Sequence, residues 1–378
     1  MKKRKRPIGI ELFAGCGGLS TGFLDAGLRV TAGFELDPRA VDAYNYNHRY
    51  RGSVGIRSDL SKAHGSELLA AVGVQKIDFV IGGPPCQPFS IVGKRRGDED
   101  HRADLIDHFV RLVGELKPQV FLLENVPNLA SIADGSIFER VMRKLKALRY
   151  GIRAEVIAAA DFGVPQIRRR LFAVGVRGRS DVWFPAPTHG NGRVPYRTAR
   201  DAIGNLPDAG EFGETGIYNH EPTDHSADMR ARLRTLAPGT RERGSFHDRL
   251  HPDRPSYTLR AGSGNFSPLR PIHYAYDRVV TARESARIQG FSDHFIWSDR
   301  IPRLQQYRQV GNAVPPPVAV AFAKCIAQQM DWILTPRALE GDPGSREAAM
   351  TLTDEERKAQ RTSRTRGASL GKAMVAAE

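Results

Sequence analysis

Cys86 stands in GGPPCQPFS (residues 82–90), a single thiol among three prolines and two glycines. Proline fixes φ and removes a backbone donor, so the Pro85–Cys86 step sets the direction of the thiol at little entropic cost. A thiol held this way can act as a nucleophile once ionised. A lone cysteine is more often a buried packing residue, but a packing position has no use for three prolines and Gln87. Glu124 follows four apolar residues in VFLLENV. Burial there would raise its pKa and let it work as an acid near neutral pH. QIRRR places Arg168 and Arg170 on one face of an extended chain. For these arginines, phosphate contact or a solvated edge stays open as an alternative.

Such groups need elements to position them. IGIELFAG, VTAGFEL, DFVIGG, VFLLENV and RLFAVGV read as buried strands that end in turn or polar residues. DLIDHFVRLVGEL and IFERVMRKLKAL between them read as helices. That alternation predicts an α/β domain with a mostly parallel, doubly wound, Rossmann-like sheet. Ligands bind at the carboxyl ends of such strands. The first strand runs into FAGCGG, where Gly15, Gly17 and Gly18 permit a tight turn and close approach to a ligand. The dinucleotide pattern G-x-G-x-x-G fails at Ser20. Glu35 ends the second strand and can accept hydrogen bonds from ribose hydroxyls. Asp59, after a further short β-like segment, could meet adenine. Loop capping is the other reading of both acids, and Cys16 reads as a packed residue.

Composition shifts over residues 185–275, which are rich in Gly, Pro, His, Arg and Asp. A smaller, irregular, β-rich second domain is expected there, with loops free for recognition. The helical pattern returns at TARESARIQGF and at VPPPVAVAFAKCIAQQMDWIL. The expected division is 1–184 plus 309–335 for the catalytic domain, 185–285 for recognition, 286–308 for a hinge and 336–378 for a flexible polar tail. A net charge of +14 over 378 residues points to a polyanionic partner. No apolar run approaches the roughly 20 residues of a membrane-spanning helix. Three widely spaced cysteines fit a reducing, cytoplasmic or nucleoid-associated setting and make neither a disulfide framework nor a zinc site.

The combination resembles the DNA cytosine-5 methyltransferase family. The matching residues are FAGCGGLS (13–20), FELDPRA (34–40), GGPPCQPFS (82–90), ENV (124–126), QIRRRLFAVG (166–175) and QVGNAVPPPVA (309–319). The resemblance implies S-adenosylmethionine as cofactor, with Phe13, Gly15, Gly17, Gly18, Glu35, Leu36, Asp59, Pro84 and Asn312 about it. An aromatic residue often follows the ribose-binding acid; here Leu36 does. The resemblance also implies duplex DNA as substrate. Gln87, Ser90, Lys94, Arg95 and Arg96, in and after the cysteine turn, would touch DNA, with the 91–105 loop closing over it. Arg254 and Thr258 resemble the framework of the recognition segment.

In the implied chemistry, the Cys86 thiolate adds to C6 of a cytosine flipped out of the duplex. Glu124 holds or protonates N3, Arg170 meets O2, and Arg168 supports Glu124 or nearby backbone. The resemblance further implies a monomeric modification enzyme of bacterial or phage type, paired with a restriction endonuclease acting on the same site. Methylation of RNA cytosine, a silent DNA-binding module and an NAD oxidoreductase remain alternatives.

Overall fold

Alternation in the strands assigns each side chain to one of two cores. In Val120–Asn125, Val120 and Leu122 enter one apolar cluster while Phe121 and Leu123 enter the other. Period two is what a strand buried on both faces requires. The computed structural model describes residues 6–85, 104–210, 216–241, 247–260 and 270–335, which fall within one unit, Met1–Leu339. Cys86, Gln87, Ser90, Lys94, Arg95, Arg96 and the proposed 336–378 tail lie outside the described residues.

Seven strands form the sheet: β1 (Ile8–Leu12), β2 (Arg29–Glu35), β3 (Val54–Arg57), β4 (Phe79–Gly82), β5 (Val120–Asn125), β6 (Tyr150–Ala158) and β7 (Arg169–Arg177). Their order is β3-β2-β1-β4-β5-β7-β6. β1 to β5 are parallel, and β7 runs antiparallel to both β5 and β6. β6, absent from the sequence reading, pairs with β7 along its whole length. Strand order reverses at β1, between β2 and β4, which makes the crevice beyond its carboxyl end the expected binding place.

The helices are α1 (Gly18–Ala26), α2 (Pro38–His48), α3 (Gly65–Ala71), α4 (Asp104–Leu116), α5 (Ser136–Ala147), α6 (Ala199–Ile203), α7 (Ala227–Arg234), α8 (Ala282–Gln289), α9 (Arg303–Asn312) and α10 (Pro316–Met330). Phe23 of α1 and Phe322 of α10 share the first core with Phe79 and Phe172 of the sheet. Phe109 of α4 and Leu145 of α5 share the second with Phe121. By length and composition Arg303–Met330 could cross a membrane, yet 67% of its apolar window is buried inside the protein. Pro315 and Pro316 divide that stretch into α9 and α10.

A third core draws mostly on residues 199–313, with Trp297, Phe291 and Phe295 at its centre and Cys16 and Ala43 joining it. The expected hinge over 286–308 thus supplies much of this core. The described part of 185–285 differs in texture from the β-rich expectation. It holds isolated bridges such as Arg249↔Ile272 and Ile272↔Val279, together with α6, α7 and the start of α8. Prolines cannot donate to a ladder, and several of them punctuate this stretch.

Candidate active site

The carboxyl ends of β1, β2, β4 and β5 open on a cavity of about 760 Å³. Phe13 leaves β1 with φ 55°, in the left-handed region that a bulky residue seldom adopts. Such local strain tends to collect at functional sites. Gly15 follows with φ 54°, and a Cβ there would meet nothing within 4 Å, so its face is open to a ligand. Gly18 also lines the cavity. Gly17 has a different role: its φ is 90°, and a Cβ would strike His48 and Tyr44, so it packs the loop against α2.

Glu35 holds the loop and faces the cavity. Its Oε2 accepts from Gly15 N–H at 2.9 Å, and its Oε1 accepts from the N–H groups of Leu36 and Asp37 at 2.7 and 2.9 Å. Asp59 accepts from the hydroxyl and N–H of Ser61 at 2.6 and 3.1 Å, and the hydroxyl above all holds its carboxyl below the usual range. Both acids therefore cap loops and line the cavity at once. Leu36 lies 56% exposed at the rim. Asn312, at the end of α9, lines the opposite wall.

At the other end of the cavity, Glu124 is buried at the close of β5. Its Oε1 lies 3.3 Å from Arg170 Nε. Burial raises the Glu124 pKa, and Arg170, then Arg168, partly offset that rise. Arg168 is fully buried and donates to the carbonyl of Leu259 at 3.2 Å. Burial works against its charge, Arg170 adds repulsion, and Glu124 restores some of it. A Cβ on Gly83 would stand 2.9 Å from Glu124 Oε2, so glycine keeps the backbone beside the acid. Pro84 and Pro85 continue along the wall toward Cys86.

A sequence profile for C-5 cytosine-specific DNA methylase matches residues 9–328. The chain belongs to this family. The methyltransferase is 34% identical over 332 residues to the Type II methyltransferase M1.HphI of Haemophilus parahaemolyticus, covering 84% of this chain and 86% of that one. It is 36% identical over 364 residues to M.XorII of Xanthomonas oryzae, covering 84% and 83%. A solved structure of a proposed DNA modification methyltransferase encoded within an E. coli prophage superposes with a TM-score of 0.72 at 28% identity, covering 86% of this chain and 99% of that one. The enzyme transfers methyl groups to C5 of cytosine in DNA.

Three contacts around the cavity of the methyltransferase escaped the sequence reading. Asn125 Nδ2 donates to the Pro84 carbonyl at 2.9 Å, tying β5 to the backbone that leads into Cys86. Gln166, fully buried, accepts from Leu259 N–H at 3.0 Å and donates to Gln289 Oε1 at 2.7 Å; Gln289 in turn donates to the Ala313 carbonyl. This chain of amides links the segment beside Arg168 to the loop beside Asn312. Glu11, buried behind the glycine loop, accepts from the N–H and hydroxyl of Ser20, whose hydroxyl meets Tyr44. Burial pushes the Glu11 pKa up to about 8. Periodicity marks Glu11 and Asn125 only as buried strand positions and gives no sign of the partners of Gln166.

Of the two expected framework residues, Thr258 lines the cavity and donates its hydroxyl to the Ile167 carbonyl at 2.6 Å. Arg254 is exposed and stands outside the cavity wall. Cys16 is buried, with its thiol toward the Gln309 carbonyl at 3.7 Å, as expected of a packed residue.

Proposed function

We propose that the enzyme methylates one cytosine within a defined duplex sequence through a covalent bond between Cys86 and C6, with S-adenosylmethionine as the donor. The observation that carries this reading is the pairing of buried Glu124 with Arg170 in one cavity with the glycine loop, Glu35 and Asn312. The cavity fits the donor chemically: Gly15 leaves open space for close approach, and the acids Glu35 and Asp59 suit a nucleoside. Phe13, Gly15, Gly18, Glu35, Asp59, Pro84 and Asn312 would hold S-adenosylmethionine, which when bound supplies the electrophilic methyl group that C5 accepts.

The protein's own groups do the rest. The Cys86 thiolate adds to C6 and breaks the C5–C6 double bond. Glu124, whose pKa burial raises, shares a proton with N3 so that no charge builds up on the ring. Arg170 orients Glu124 and meets O2 of the base, and Arg168 supports both. Loss of the C5 proton, with water as its acceptor, restores the double bond and expels the Cys86 thiolate. Asn125 and the prolines keep the thiol's approach to the ring fixed, which is where orientation gains most.

The division into a catalytic domain (1–184 and 309–335) and a recognition segment (185–285) belongs to the same proposal. So does action as a monomer beside a restriction endonuclease of the same specificity, a role favoured by the Type II names of M1.HphI and M.XorII. The test is transfer of label from S-adenosylmethionine to duplex DNA, duplex RNA or tRNA, with Cys86→Ala in parallel. Label on DNA cytosine alone, abolished by the substitution, is expected. Label on tRNA alone, or undiminished transfer by the variant, would overturn the reading.

A further inference from the structure

One wall of the cavity has, apart from Asn312, no part in that chemistry. Helix α9 presents Gln305, Arg308, Gln309 and Asn312 to it, the i, i+3, i+4, i+7 spacing of a single helical face. Arg308 is half-buried, and its Nε is buried without a hydrogen-bond partner among the described residues. Gln309 is 7% exposed; its Oε1 accepts from Trp297 Nε1, while its Nε2 has no partner among the described residues. Buried donors of folded proteins are normally paired, so this face holds donors for which the described residues supply no acceptor. The acids of the cavity are engaged elsewhere: Glu35, Asp37 and Asp59 with their own loops, Glu11 with Ser20, and Glu124 with Arg170.

We propose that Arg308, with Gln305 one turn away, binds a phosphate of the DNA strand that carries the extruded cytosine. The inference rests on the cavity being the site of methyl transfer to DNA. Two observations favour a phosphate as the oxyanion. Arg308 is only half-buried although its Nε is buried, so it is not sealed inside the protein. Arg260, from the segment next to Arg168, lines that cavity too, so a strand entering it would meet a second guanidinium. A guanidinium there would hold the sugar–phosphate backbone while the base occupies the Glu124 end, and its planar fork suits phosphate oxygens.

The test compares wild type with Arg308→Ala and Arg308→Lys, measuring duplex affinity as a function of salt. Calorimetric binding of S-adenosylhomocysteine is measured alongside. Arg308→Ala should bind duplex DNA roughly tenfold more weakly, with its log–log salt slope reduced by about 0.9, the value of one phosphate contact. Arg308→Lys should restore the slope, and all three proteins should bind S-adenosylhomocysteine alike. An unchanged slope in Arg308→Ala overturns the proposal. Weakened S-adenosylhomocysteine binding with the slope intact also overturns it and assigns the arginine to the ligand's carboxylate. Failure of wild type to methylate duplex DNA would instead count against the functional reading on which the inference rests.

Discussion

Asn125 Nδ2 donates to the carbonyl of Pro84 at 2.9 Å, although 41 residues separate them. The strand that ends in Glu124 and Asn125 thereby also holds the backbone just before Cys86 in sequence. Asn125 Oδ1 is used as well, accepting from Val126 N–H at 2.8 Å. Asn125→Ala should leave a buried carbonyl unpaired at a cost of about 1–3 kcal/mol. Single-turnover methyl transfer should slow by roughly ten- to a hundredfold, while calorimetry finds S-adenosylhomocysteine bound as before. A rate within twofold of wild type would remove Asn125 from the positioning of Cys86.

Glu124→Gln should keep the shape of the site and lose the proton donor. General acid catalysis contributes about 10²- to 10⁴-fold, so the chemical step should fall by about that range with cofactor affinity intact. Arg170 lowers the Glu124 pKa against the larger effect of burial. Removing that charge in Arg170→Met should move the Glu124 ionisation to higher pH. Comparing pH–rate profiles of the two proteins checks the direction, and a downward shift would contradict it.

Glu11 offers a stability test separate from catalysis. Its carboxyl titrates near 8 in the folded protein against an ordinary value of 4.5. Between these values the folded state binds more protons than the unfolded state, so stability falls as pH rises. In Glu11→Gln the amide oxygen can still accept from Ser20, but this contribution is gone. The melting temperature of wild type should fall more between pH 5 and 8 than that of the variant, by several degrees. Parallel curves would show that Glu11 stays ionised throughout.

Glu35 should matter through the loop as much as through the ligand. Three backbone N–H groups converge on its carboxylate. Glu35→Ala should therefore weaken S-adenosylhomocysteine binding by roughly ten- to a hundredfold and speed amide exchange at Gly15, Leu36 and Asp37. Faster exchange without loss of affinity would limit Glu35 to a structural role.

Much of this arrangement was legible in the sequence because it is local. Apolar runs such as VFLLE and DFVIG mark strands buried on both faces, and the polar or glycine residues after them mark carboxyl ends. Glu35 and Glu124 could thus be placed at strand ends before any coordinates, whereas Arg168, Arg170 and Asn312 were assigned to the site by the family resemblance. Contacts made across the chain were not legible. Gln166 and Gln289 meet over 123 residues, and Asn47 accepts from Ile296 N–H over 249. No periodicity encodes such partners. β6 was missed because YGIRAEVIA mixes charge into an otherwise apolar run and lies at the sheet edge. The left-handed conformation of Phe13 follows from the turn that surrounds it, which residue type does not reveal.

The central claim is a covalent bond from Cys86 to C6 of cytosine. Duplex DNA carrying 5-fluorocytosine in place of cytosine cannot lose a proton at C5, so the reaction should halt at the adduct. Incubation with enzyme and S-adenosylmethionine should yield a denaturation-resistant protein–DNA complex. Peptide mass spectrometry should map the link to Cys86, and Cys86→Ala should form none. Ordinary DNA becoming methylated while fluorinated DNA gives no adduct would contradict the account.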